Sequence, residues 1–99
     1  MGNMVKKMQQ IQRQMEETQE QINETVLEAS AGGGAVKCTM NGKHELLSLT
    51  IDPDLLHPEE AEMVQDLVLV AVNDCLKQVE TLSESEMGRL TGGLNIPGL

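Results

Sequence analysis

A chain of 99 residues without a single Phe, Tyr or Trp has room for one domain with an aliphatic core and a modest buried fraction, which a partner subunit would raise. Without rings it offers no platform on which bases could stack, and this excludes single-strand recognition of the RRM or OB type. Its net charge of −9 argues against nucleic acid, because phosphate binding depends on Lys and Arg, unless cations are concentrated locally.

Met1, Met4, Met8, Ile11, Met15, Thr18, Ile22 and Thr25 recur at alternating spacings of three and four, the a/d seam of a helix packed on other helices. The intervening Gln and Glu favour helix and no Gly or Pro interrupts between Asn3 and Ala31, so the pattern predicts a helix from residue 3 to about 24. Charge along it is polarised. Residues 1–15 hold Lys6, Lys7 and Arg13 with no acid, and residues 16–28 hold five glutamates with no base. With methionines at a, Lys6 and Arg13 fall at f and Lys7 at g, pointing away from the seam. The order opposes the helix dipole, which favours acids at the N-terminus, so helix stability does not explain it.

Gly32, Gly33 and Gly34 break any helix and introduce a sheet. Val36, Cys38 and Met40 alternate with polar residues, Asn41-Gly42 predicts a type I′ turn, and Leu47, Leu49 and Ile51 alternate again, together a hairpin. Pro53 ends the second strand. Pro58 followed by Glu59, Glu60 and Glu62 predicts a helix start. Residues 67–72 are apolar on every side, which predicts cover by the sheet on one side and by a second subunit on the other, with Leu67, Val68, Val70 and Ala71 at the dimer interface. Past about residue 84 the apolar periodicity fades, and Gly92-Gly93 and Pro97-Gly98 predict a flexible tail over residues 85–99, leaving one folded domain over 1–84.

Candidate chemistry is sparse. The glycine triplet precedes no Gly-Lys-Ser/Thr and opens no helix, so it is a turn and not a phosphate loop. His44 and His57 are isolated from any metal-spaced partner, Asp52 and Asp54 flank a turn-forming proline, and Cys38 and Cys75 lie in apolar patterns without a CxxC. These read as turn and core residues, not as an active site, metal site or cofactor site. No apolar run reaches the length of a membrane span and no signal-type block follows the N-terminus, so the expectation is a cytosolic, non-membrane, non-enzymatic protein.

The run Gly32-Gly33-Gly34-Ala35-Val36-Lys37-Cys38-Thr39-Met40-Asn41-Gly42, then Ile51-Asp52-Pro53-Asp54-Leu55-Leu56, Asp66-Leu67 and Asn73-Asp74, resembles the YbaB/EbfC family of bacterial nucleoid-associated proteins over roughly residues 4–99. Cys38, Cys75 and His57 depart from that family's usual residues. The resemblance implies an α+β fold with a long N-terminal helix, a short antiparallel three-stranded sheet whose first strand lies near residues 25–31, a long second helix, and a clamp-shaped homodimer. It also implies binding of double-stranded DNA in the bacterial nucleoid, with no motif that fixes the contacting residues. Charge placement therefore selects Lys6, Lys7 and Arg13, with Lys37 and Lys43 on the sheet as weaker candidates. Such contacts position a protein on the backbone and read little sequence. Repulsion from the acidic body keeps this binding weak and leaves room for an additional protein partner. The rival is a prefoldin-like chaperone or assembly scaffold without DNA binding, which acidity and Met-rich surfaces favour.

Overall fold

The computed structural model describes residues 2–92, with side chains as far as residue 90. Met1 of the seam and residues 93–99 of the expected tail lie outside the described residues. The order is α1 (Gly2–Glu24), β1 (Val26–Ala31), β2 (Val36–Asn41), β3 (Leu46–Ile51), two single 3-10 turns (Pro53–Leu55 and Pro58–Glu60) and α2 (Ala61–Gly92). The strands form an antiparallel meander with β2 central.

Alternation in the strands sorts the sheet into two faces. Ala31, Val36 and Ile51 align across the strands on one face, as do Ala29, Cys38 and Leu49. On the other face the aligned sets are Ser30, Lys37 and Thr50, then Glu28, Thr39 and Ser48, with a Thr39–Ser48 hydroxyl hydrogen bond of 2.6 Å. The apolar face is covered by α2, whose Ala71, Cys75 and Val79, four residues apart, are fully buried. Three alanines and two cysteines in this core are small enough for the helix to lie close to the strands, which is how a domain without aromatic residues excludes water. Leu67 lies beside Gly32 at the end of β1, and Gln78 Nε2 donates to the Glu28 carbonyl at 3.1 Å. These two contacts fix α2 antiparallel to β1.

Two turns set the register. Gly32, Gly33 and Gly34 all have positive φ, a conformation side-chain-bearing residues adopt at a cost of roughly 1–2 kcal/mol each. The β2–β3 connection differs from the expected type I′ turn. Its bend spans Asn41 to His44, closed by His44 N–H to the Asn41 carbonyl at 3.1 Å, and the left-handed residue is His44, at φ 64, not Gly42. The extra residue is absorbed by a bulge next to Met40. Asn41 organises the loop, its Oδ1 accepting from the backbone N–H of Lys43 at 2.9 Å and of Glu45 at 3.1 Å. Gly42 is needed for proximity: a Cβ there would stand 1.7 Å from the Ile22 carbonyl oxygen at the end of α1.

α1 packs against α2, but only the second half of its seam is used. Thr18 and Ile22 are buried and Ile11 is half-buried, whereas Met4 and Met8 are 71% and 68% exposed. The first helix therefore ends in an arm without cover in the protomer, in a molecule measuring 69 × 26 × 15 Å. α2 continues through Glu84 to Gly92, so the folded part does not end at 84 and residues 85–92 are helix, not tail. The continuation has a half-buried stripe at Leu82, Ser83, Glu86, Met87 and Leu90, spaced as a helix face. Ser83 and Glu86 stand where an apolar periodicity would need hydrophobes, which hid it in the sequence.

Candidate nucleic-acid interface

The five candidate cations fall into three places. Lys6, Lys7 and Arg13 are exposed on the α1 arm. Lys6, Gln9, Gln10 and Arg13 line one shallow surface groove, the result of i, i+3, i+4 and i+7 spacing on a single helix face. Lys37 lies on the polar face of the sheet between its cross-strand partners Ser30 and Thr50. Lys43 sits in the β2–β3 loop beside Gly42, hence at the opposite end of α1 from Lys6. At 1.5 Å per residue, the distance along α1 from Lys6 to Ile22 is about 24 Å, so the fold does not bring the arm and sheet cations together.

Local electrostatics distinguish the arm. Among the described residues Lys6, Lys7 and Arg13 have no ion-pair partner, and neither do Lys37, Lys43 and Lys77, whereas Arg89 is engaged by Glu86 at 2.6 Å; what sets the arm apart is the absence of acids. The first turn of α1 holds no acid and its last turn no base. Glu16 shares a groove with Gln9, Gln12 and Arg13, so Arg13 marks the border of the basic segment. Lys6 is about 15 Å from Glu16 along the helix, roughly twice the screening length at physiological salt, so that carboxylate does little to offset its charge. Gln9 and Gln10, missed by charge counting, add uncharged donors to the same groove as Lys6 and Arg13. Their signal in the sequence was their spacing relative to Lys6 and Arg13.

The expected dimer residues separate by burial. Ala71 is fully buried in the protomer's own core, and Leu67 and Val68 are half-buried against that core. Val70 faces outward, 58% exposed, next to Leu69 at 60%. A second uncovered apolar set is Leu46, Leu47 and Leu49 of β3, because α2 packs on β1 and β2 and of the third strand only Ile51 reaches the core. Alternation marked Leu47 and Leu49 as core-facing; only the position of α2 shows that their cover is missing.

The carboxylate pair at Asp52 and Asp54 has a structural use. Asp52 Oδ1 accepts from the Asp54 backbone N–H at 3.0 Å, capping the 3-10 turn that Pro53 begins, and this turn use accounts for the carboxylate pair. Among the described residues no His, Cys, Asp and Glu cluster could hold a metal ion, and no helix is long and apolar enough to cross a membrane.

Comparison with known proteins agrees with this picture. A family model described as the YbaB/EbfC DNA-binding family matches residues 1–94. A nucleoid-associated protein of Alkaliphilus metalliredigens is 48% identical over 99 residues, covering 100% of this chain and 87% of its own. One from Pelotomaculum thermopropionicum is also 48% identical over 99 residues, covering 100% and 94%. Among solved structures, an uncharacterized protein from Helicobacter pylori superimposes with a TM-score of 0.79 at 26% identity, covering 92% of this chain and 96% of that one.

Proposed function

Since this chain belongs to the YbaB/EbfC DNA-binding family, we propose that it is a nucleoid-associated, non-enzymatic protein that grips duplex DNA as a homodimer, through the backbone and with little sequence preference. The observation that carries this reading is the α1 arm: an exposed helix end whose cations are unpaired and whose residues up to 15 include no acid, in a protein that is acidic elsewhere. Lys6, Lys7 and Arg13 make the phosphate contacts, with Lys37 and Lys43 as secondary contacts.

A salt titration of binding to duplexes of unrelated sequence tests this. Six phosphates held by the arm cations, three per subunit, give a log-log slope of about −5, and full engagement of Lys37 and Lys43 would steepen it to about −9, from roughly −0.9 per phosphate. Affinities should agree between sequences. A salt-independent affinity, or none at any salt, would reject the proposal and favour the scaffold reading.

Dimerisation is the second part of the proposal. Leu46, Leu47 and Leu49 on β3 and Leu69 and Val70 on α2 leave more apolar surface in water than a protomer of this size ordinarily carries, and burial against a second copy removes it. Val70→Asp should weaken the dimer strongly, because it would bury an unpaired carboxylate, yet leave the protomer folded, because Val70 has no role in its core. Sedimentation at micromolar concentration with circular dichroism on the same sample checks both points. A dimer of undiminished stability would exclude Val70 from the interface.

A further inference from the structure

Cys38 and Cys75 have no part in DNA binding. They are the chain's two cysteines, one at the centre of β2 and one in the middle of α2, and both are free and buried. Their sulfurs stand 3.3 Å apart in hydrogen-bond contact. Cys75 Sγ also lies 3.7 Å from the Cys38 carbonyl oxygen, so the helix meets the strand closely at this point. A disulfide requires an S–S separation of about 2.05 Å. Closure thus needs a movement of little more than 1 Å, within reach of side-chain rotation and without parting α2 from the sheet.

We propose that Cys38 and Cys75 form an oxidation-sensitive dithiol, which a hydroperoxide converts into an intramolecular disulfide that ties the central strand to α2. In the first step Cys38 Sγ attacks one peroxide oxygen, the O–O bond breaks, and the departing oxygen leaves as water with the Cys38 proton, giving a sulfenic acid. In the second, Cys75 Sγ attacks that sulfur, the S–S bond forms, and the S–O bond breaks with the hydroxyl leaving as water, carrying the Cys75 proton. Two electrons pass from the two thiols to the peroxide. Burial, reinforced by the hydrogen bond to Cys38, pushes the Cys75 pKa up to about 12, so its attack on the sulfenic sulfur goes together with passage of its proton to the departing hydroxyl. Access comes through local opening of α2 from the sheet, which admits a peroxide more readily than a bulky disulfide.

The experiment treats the reduced full-length chain with hydrogen peroxide, quenches it, denatures it and measures intact mass and free thiols. The expected product has lost about 2 Da and both thiols, runs as a single chain on a non-reducing gel, and reverts with dithiothreitol. Because the bond would link residues 37 positions apart, the melting temperature of the oxidised form should rise, by roughly 15 °C or more for an unstrained bridge. Cys75→Ala, lacking the resolving thiol, should instead accumulate a sulfenic acid on Cys38 that dimedone traps. Two intact thiols after treatment, oxygen retained on Cys38 or Cys75 rather than on the exposed methionines, or a disulfide-linked pair of chains would each overturn the proposal. The readout on the unmodified sequence decides the matter even if the variant fails to fold.

Discussion

Replacing Lys6, Lys7 and Arg13 together by glutamate is expected to abolish binding to duplex DNA while leaving helix content, melting temperature and dimer mass unchanged. The three positions are exposed on an arm that touches neither the core nor the sheet, and surface substitutions of this kind ordinarily shift stability by about 0.5 kcal/mol or less. Binding responds differently, since each subunit loses three phosphate contacts and gains three repulsive charges. A loss of only two contacts per dimer already costs more than tenfold in affinity at moderate salt, and six reversals exceed the whole electrostatic contribution. Mobility shifts at low salt on several unrelated duplexes, with sedimentation of the same preparations, measure both halves of the prediction. If the triple variant binds normally, the interface lies on Lys37 and Lys43 or on Lys77 of α2, and the charge reversals belong there.

Gly42→Ala should be the most damaging single-methyl change in the folded domain. The added Cβ would lie 1.7 Å from the Ile22 carbonyl oxygen, 2.3 Å from its carbon and 2.9 Å from the Asn23 nitrogen, all backbone atoms that cannot rotate away. Either the β2–β3 loop must leave the end of α1 or the helix must move off α2, and both routes uncover Ile22, which is buried. We expect a loss of about 3 kcal/mol or more, corresponding to a melting temperature lower by at least about 12 °C for a domain of this size. Gly33→Ala is the control. Gly33 has positive φ but nothing within 4 Å of the added methyl, so the cost is confined to backbone strain of roughly 1–2 kcal/mol. Urea unfolding of the pair followed by circular dichroism ranks them. Equal melting of Gly42→Ala and the native chain would show that the α1–loop junction is not as close as described.

The separation between these two glycines shows what local pattern can and cannot reveal. The seam of α1, the alternation in β2 and β3, the proline boundaries and the polarised charge of the first helix are properties of neighbouring residues, and they determined the elements and the family motifs before any tertiary contact was considered. Asn41-Gly42 was legible as a turn for the same reason. Its type was not, because the choice between a two-residue I′ turn and a three-residue loop depends on α1 approaching Gly42 from residues far back in the chain. The helical extension to Gly92 was likewise hidden, since Ser83 and Glu86 carry no apolar signal.

Burial of the candidate site residues was decided by the position of α2. That helix lies over β1 and β2, so Ala71 disappears into the protomer, Val70 remains in water, and leucines on β3 that alternate like core residues are left uncovered. The juxtaposition of Cys38 and Cys75 arises in the same way, from two positions with no mark of pairing in their spacing. By itself the sequence determined where the cations are and that no acid precedes residue 16, because charge order along a helix is fixed by the order of residues. Only the tertiary structure decided that they stand on a free arm, far from Lys43 and from every covering element, because that depends on where the packing of α1 against α2 stops.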